Sequence, residues 1–304
     1  MLNVSSASGV TYRGQFHIGG LAVEIASERS EDVSFGPSLA PFRSNSNQSD
    51  IDIRVEWVDK LSRDDSGELF DSGSVWRLYD CGDRLRFEFT TPSLGEEPYK
   101  RFLIDKSFRS ATLQMSTGAF SVPGFIADPM DYPLDELLIM HRLTQEKAIE
   151  LHGCGIVRAN GSGNLFVGHS GAGKSTTTRL WTEREEVEVL SDDRIIVRRD
   201  ASNPGHMRMY GTPWHGEAMY ASPESAPLKR ILILQHGHGN VLIPLSSGEA
   251  AAELFARSFV PFHRHEYVDS ALEFLQELVE AVPVYRYEFE PDQRAVDKIL
   301  DLND

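Results

Sequence analysis

Leu165-Phe166-Val167-Gly168-His169-Ser170-Gly171-Ala172-Gly173-Lys174-Ser175-Thr176 decides the fold of the second half of the chain. It opens with an apolar run of strand length and passes into G-x-x-x-x-G-K-S, the spacing of a phosphate-binding loop. Gly168, Gly171 and Gly173 permit backbone angles closed to other residues, so that successive N–H groups can converge on a polyphosphate. From Lys174 onward, Ser175, Thr176, Thr177, Thr178, Arg179, Leu180 and Trp181 continue as a helix whose N-terminal dipole end meets the same anion. Lys174 is placed to reach the β- and γ-phosphates, and the Ser175 hydroxyl to ligate Mg²⁺. The bland reading is a glycine-rich turn that binds nothing; an apolar strand before it and a helix after it argue against that. The binding candidates are therefore Gly168, His169, Ser170, Gly171, Ala172, Gly173, Lys174, Ser175 and Thr176.

Working outward, Leu151 to Val157 reads as a strand, Ala159 to Gly163 as a tight turn and Asn164 to Gly168 as the hairpin partner that feeds the loop. His152 begins this hairpin, at a place where a lone histidine is more often structural. After the loop helix, Val187 to Leu190 is a short apolar strand ending in Ser191-Asp192-Asp193, 18 and 19 residues beyond Lys174 at the two aspartates. Adjacent carboxylates on an extended backbone point to opposite sides. One can face a metal while the other faces a substrate hydroxyl; a turn pair is the alternative. Further on, Gly211-Thr212-Pro213-Trp214-His215-Gly216-Glu217 is a shaped loop. Its Glu217 either completes a Mg²⁺ shell or is simply solvated. His263, Arg264 and His265 read as a solvated helix connection rather than an anion contact.

The first part of the chain has a different texture. Tyr12 to Ile18, Leu21 to Ile25 and Ile51 to Val58 alternate polar and apolar residues, the pattern of an antiparallel, half-exposed sheet; Ser74 to Tyr79, Arg84 to Thr90, Lys100 to Asp105 and Ala111 to Met115 read as further short strands. Residues 61–73 read as a loop. Pro133 to Glu150 carries Leu134, Leu137, Leu138, Met140 and Leu143 at helical spacing and joins the halves. After the phosphate loop come strands at Arg194 to Val197, Met207 to Tyr210, Ile231 to Gln235, Val241 to Leu245 and Val284 to Phe289. Ser246 to Glu249 is a capping box opening a helix through Phe259; two more helices cover Val268 to Val282 and Gln293 to Leu302. The expected division is a β-rich domain over 1–130 and an α/β domain over 131–304.

Composition narrows the partners. The 304 residues carry a formal net charge of −16, which repels a nucleic-acid backbone. Two cysteines, Cys81 and Cys154, make neither a disulfide framework nor a zinc site and suit a reducing cytoplasm. Met1 to Val10 shows no signal-peptide pattern, and no apolar run reaches membrane-spanning length.

The ordered set Leu151-His152-Gly153, Gly168 to Ser175 and Ser191-Asp192-Asp193 resembles the catalytic domain of HPr serine kinase/phosphorylase, over roughly residues 133–220. That family shares its nucleotide core with ATP-dependent phosphoenolpyruvate carboxykinase. Pro133 to Leu138 and Gly211 to Trp214 look more like the divergent HPr-kinase-like proteins, some found in lasso-peptide clusters. The resemblance implies an α/β P-loop core preceded by the β-rich domain, and Mg²⁺-dependent transfer of phosphate from ATP, with GTP the alternative nucleotide, to a serine or threonine of a peptide or small protein. It implies Lys174 on the phosphates, Asp192 as catalytic base, His152 near the transferred group, and Ser175, Asp193 and Glu217 around the metal. Self-association is a further expectation from it. The chain lacks the family's Pro-rich, basic C-terminal loop and its N-terminal domain, which argues against HPr as substrate and against phosphorolysis. The rival expectations are a small-molecule kinase, a nucleotide-binding switch without an acceptor and, more weakly, a carboxykinase.

Overall fold

The computed structural model describes residues 10–120 and 128–302. The expectation of no leader in Met1 to Val10, and the end of the β-rich stretch at 121–127, fall wholly or mostly outside these described residues. The chain divides into two units, one formed by Met1–His17 and Leu21–Asp135, the other by Ile18–Gly20 and Glu136–Asp304. It is a mixed α/β, strand-rich protein.

The first unit is built on an eight-stranded sheet. Its strands are β1 (Tyr12–Ile18), β2 (Leu21–Ser27), β3 (Ile51–Val58), β4 (Glu68–Asp71), β5 (Trp76–Asp80), β6 (Arg84–Thr91), β7 (Gly95–Asp105) and β8 (Ser110–Ser116), in the spatial order β1-β2-β3-β8-β7-β6-β5-β4. Period-two burial is plain in β3, where Ile51, Ile53 and Val55 are buried and Asp52 and Arg54 exposed. Phe87, Phe89, Phe102 and Phe108 fill the core below. The expected antiparallel sheet is corrected to a mixed one: β2 and β3 are parallel, as are β3 and β8. Parallel neighbours need a long connection, and residues 28–50 supply one between β2 and β3. The expected loop over 61–73 contains β4, whose four residues are all exposed on the sheet edge. A strand with no buried face leaves no alternation to read.

The second unit follows with α1 (Leu134–Gln145), β9 (Ala148–Arg158), β10 (Gly163–Val167), α2 (Lys174–Arg184), β11 (Val187–Ser191), β12 (Arg194–Arg199), β13 (Met207–Tyr210), β14 (Ser225–His236), β15 (Val241–Pro244), α3 (Ser247–Phe255), β16 (Ser258–Phe259), α4 (His265–Ala281), β17 (Val284–Phe289) and α5 (Gln293–Leu300). Strands β9, β12, β13, β14 and β10 close into a ring, because the long β14 pairs antiparallel with β13 and parallel with β10. β17 adds in parallel to β14 and β15 antiparallel to β17. All five residues of β10 are buried, as expected of a strand covered on both faces. Leu165 and Val167 enter one apolar cluster with α3 and α4 residues such as Leu254 and Phe274. Phe166 enters the other, with Leu180, Trp181, Val296 and Ile299 of α2 and α5. Phe166 and Trp181 have ring centroids 6.0 Å apart, so truncating either removes several kcal/mol of packing, by the ~3–5 kcal/mol usual for a buried aromatic.

Two helix limits are corrected. The helix expected to Glu150 ends at Gln145, since Lys147 takes a left-handed φ of 51° and Ala148 starts β9. The capping box at Ser246 and Glu249 is formed, but α3 stops at Phe255 and Ser258–Phe259 becomes β16, paired with β9. The region after it is not a solvated connection throughout: His263 lies 5.2 Å, ring to ring, from the buried His141 of α1.

Burial, then the neighbouring His263, pushes His141 down to about 3; burial and the Arg264 charge push His263 down to about 4. Both rings are neutral in the fold and take up protons only on unfolding. Their stabilising neutrality is complete above the ordinary histidine range and is lost as pH falls from there toward those depressed values. Urea midpoints should therefore drop steadily between pH 7 and pH 4, with His141 contributing on the order of 1 kcal/mol per pH unit. His141→Leu should flatten that slope; an unchanged slope would contradict the assignment.

Candidate active site

The backbone of β9 brings the three motifs of the sequence to one place. Its second half pairs with β10, Gly153 opposite Val167, and its first half pairs with β12, His152 opposite Arg194. The Gly168 N–H donates to the His152 carbonyl at 3.2 Å, and the Gly153 N–H to the Asp193 carbonyl at 3.0 Å. The His-Gly pair, the start of the glycine-rich loop and the double aspartate thus share consecutive peptide groups. Gly153 leaves no alternative, because a Cβ there would stand 2.9 Å from the Phe166 carbonyl oxygen.

The loop itself runs from Gly168 to Gly173 between β10 and α2. Gly173 is the N-cap of α2 with φ 104°, and no side chain caps the helix. A Cβ at Gly173 would lie 2.5 Å from the Phe289 ring, so glycine is demanded by both conformation and space. The first N–H groups of α2 are therefore left for a ligand, with the positive end of the helix dipole behind them. Lys174 is buried, and its Nζ donates to the carbonyls of Gly168 at 3.0 Å and His169 at 3.3 Å, folding back over the loop. Burial holds its ammonium below the usual lysine range, against the opposing pull of Asp193. His236 at the end of β14 donates to the Gly171 carbonyl at 2.9 Å and braces the loop tip. His169, Ser170 and Ser175 are exposed, Ala172 and Thr176 half-buried.

The two aspartates have separate duties. Asp192 is 2 % exposed, and its carboxylate accepts N–H groups from Gly216 at 3.0 Å, Ala218 at 2.9 Å and Tyr220 at 3.2 Å. It is the anchor of the 214–220 loop, which includes Met219 in a left-handed φ of 60°. Gly216 fits closely there, since a Cβ would stand 2.9 Å from the Asp192 Oδ2. Asp193 turns the other way. Its Oδ1 takes a hydrogen bond from His152 Nε2 at 2.8 Å, and its Oδ2 meets Arg194 Nη1. Burial opposes its ionisation, but the His152 hydrogen bond and the Arg194 and Lys174 charges outweigh it and keep Asp193 below the usual carboxylate range. The Ser191 Oγ accepts from the N–H groups of Asp193 and Arg194, fixing the turn. The expectation gave Asp192 the role of base. Three donors on a buried carboxylate suit a structural anchor better, and the partly exposed Asp193 is the one joined to His152.

Glu217 is exposed on the loop that Asp192 anchors. Among the described residues no group of three or more His, Cys, Asp or Glu forms a metal cage. The hydroxyl of Ser175 and the carboxylates of Asp193 and Glu217 are hard oxygen donors, the kind that Mg²⁺ takes in small number while phosphate oxygens and water fill the rest of its shell.

Arg194 and Arg257 were not singled out from sequence. Arg194 reaches Glu136 at 2.8 Å and Glu150 at 3.4 Å, and lies 4.0 Å over the Phe259 ring. It holds Asp193 in place from the first position of β12. Arg257 offers its carbonyl to the His152 N–H at 2.8 Å, a pairing that follows from β16, a two-residue strand with no pattern of its own. No protein-family model matches the chain, and no curated protein is significantly similar to it.

The anchor role of Asp192 has a direct test. Asp192→Asn turns one acceptor oxygen into a donor facing an N–H. It should cost about 1–3 kcal/mol, seen as a lower thermal midpoint, and should open residues 214–220 to proteolysis. A wild-type midpoint and digestion pattern would contradict it.

Proposed function

We propose that the chain is a Mg²⁺-dependent phosphotransferase with a P-loop core of the HPr-kinase and phosphoenolpyruvate-carboxykinase kind, moving the γ-phosphoryl group of ATP to a serine or threonine hydroxyl of a peptide or small protein. The observation that carries this is the His152–Asp193 pair, fixed by backbone hydrogen bonds beside an uncapped glycine-rich loop with a lysine at its helical end. A loop that only bound nucleotide would need the N–H groups, Lys174 and a metal-binding oxygen such as that of Glu217. A second, ionised carboxylate held by a histidine and an arginine is what an acceptor hydroxyl adds.

In this reading the α2 N-terminus and the loop N–H groups hold the β- and γ-phosphates, and Lys174 swings from the Gly168 and His169 carbonyls onto them. Mg²⁺ would be held by the Ser175 hydroxyl with the Glu217 carboxylate as a further donor; when bound it neutralises charge on the phosphates. The acceptor oxygen attacks the γ-phosphorus, the bond from that phosphorus to the β–γ bridging oxygen breaks, and ADP departs. The hydroxyl proton passes to the Asp193 carboxylate, which His152 orients and which carries at most two of its hydrogen bonds already. Most of the acceleration comes from positioning and charge neutralisation.

The assay is γ-labelled ATP with Mg²⁺ and a lysate of the source cells, for wild type, Lys174→Ala and Asp193→Asn. Label should enter a protein or peptide, with Lys174→Ala losing binding and turnover and Asp193→Asn losing turnover by about 100-fold or more while ATP affinity holds. Label in a small molecule would move the acceptor to a metabolite. Free phosphate alone would favour a nucleotide switch. Equal loss of binding and turnover in Asp193→Asn would remove its role as base.

A further inference from the structure

Beside the loop lies a pocket of 330 Å³ that the reaction above does not use. Its walls are the loop residues His169–Ala172, the end of β14 from Ile233 to His236, Glu253 of α3, Arg257 just beyond α3, and Arg286 of β17. The sheet puts it there: Val167 of β10 is level with Ile233 of β14, and Ile233 with Arg286 of β17. The cleft thus opens at the carboxyl ends of parallel strands, the usual place for a ligand in such sheets.

Its charge is out of keeping with the chain. In a protein of net charge −16, this pocket presents two guanidinium groups and one carboxylate. Glu253 is occupied with Arg257, whose Nη1 donates to both the Glu253 carbonyl and its Oε2. That pairing places Arg257 rather than silencing it, since its Nη2 is uncommitted among the described residues. Its charge is felt at the loop, where it is the main cause holding His169 below the usual histidine range. Arg286 is half-buried and makes no hydrogen bond or ion pair with another described residue; Glu249 is the carboxylate that feels its charge. A half-buried arginine without a counter-ion carries a desolvation cost that an anionic ligand relieves.

We infer that Arg257 and Arg286 form an anion subsite that receives a carboxylate or phosphate group carried by the acceptor close to its reacting hydroxyl. The inference rests on the phosphotransferase reading for the word acceptor, though not for the anion site itself. Three features favour an acceptor anion over the nucleotide. The nucleotide phosphates already have Lys174 and the α2 N–H groups. Two guanidinium forks match a planar or tetrahedral oxyanion, which a neutral base or ribose does not offer. An acidic acceptor also needs a local cationic patch to approach a chain of this net charge. The substrate class is therefore an acidic one: a hydroxyl flanked by an Asp or Glu side chain, or by an existing phosphate.

The test uses calorimetric titration of wild type, Lys174→Ala, Arg286→Gln and Arg286→Lys. Each is titrated with inorganic phosphate and, separately, with glutarate, alone and after saturation with Mg²⁺ and the non-hydrolysable analogue AMP-PNP. Wild type saturated with AMP-PNP should bind one further equivalent of phosphate or glutarate. Arg286→Gln should weaken this by about 10-fold or more, as for loss of a charge-assisted hydrogen bond, while Arg286→Lys keeps part of it; Lys174→Ala, titrated without nucleotide, should keep one anion site of wild-type affinity. The tighter of the two anions names the group on the acceptor. Phosphate and glutarate that merely compete with AMP-PNP would overturn the inference and return both arginines to the nucleotide. Absence of any second equivalent would overturn it as well. Failure of AMP-PNP to bind, with an Arg286-dependent anion site intact, would keep the subsite and remove the phosphotransferase reading instead.

Discussion

Two peptide groups, those joining Leu151 to His152 and His152 to Gly153, hold this site together. The His152 carbonyl accepts from Gly168, the His152 N–H donates to Arg257, and the Gly153 N–H donates to Asp193. Four chain segments are tied at one point by backbone groups that have to be satisfied in any case, because they are buried. The side chains then inherit their positions. His152 lands against Asp193, Lys174 lands over the loop, and Asp192, facing away from its neighbour, is free to anchor residues 214–220. Little of this depends on long, mobile side chains finding each other. On the proposed reading this rigidity is what phosphoryl transfer would need, since a misplacement of an ångström is costly there.

Legibility in the sequence follows the same division between backbone and side chain. The glycine-rich loop, the β9–β10 hairpin and the capping box at Ser246 are local, and each has a signature within about ten residues, so their elements stand where the pattern puts them. What is not local is not written locally. The parallel pairings of β2 with β3 and of β3 with β8 depend on which distant strand arrives alongside. The two residues of β16 are a strand only because β9 offers an edge. β4, Glu68-Leu69-Phe70-Asp71, has one polar and one apolar residue on each face and all four exposed, so no alternation marks it.

The site shows the limit more sharply. Asp192 and Asp193 are both visible as an acidic pair at a strand end, but which one turns inward is fixed by the 214–220 loop folding back 24 to 28 residues later to donate its N–H groups. The sequence resemblance implies Asp192 as proton acceptor; in the proposed reading that role falls to Asp193, which His152 orients. Arg257 and Arg286 sit in segments read for their apolar neighbours, and the end of α3 and the register of β17 bring them to the pocket beside the loop. In a chain so acidic, two arginines in one pocket are a feature that composition averages away.

The central claim is that the loop from Gly168 to Ser175 binds the polyphosphate of a nucleotide and does so through Lys174. Calorimetric titration with ATP, with and without Mg²⁺, of wild type and Lys174→Met tests it most directly. One equivalent bound, dependent on Mg²⁺ and weakened by about 100-fold in the variant, as for a lost buried charge pair, is the result this account predicts. No binding at millimolar ATP, or binding that ignores both Mg²⁺ and the lysine, would contradict it.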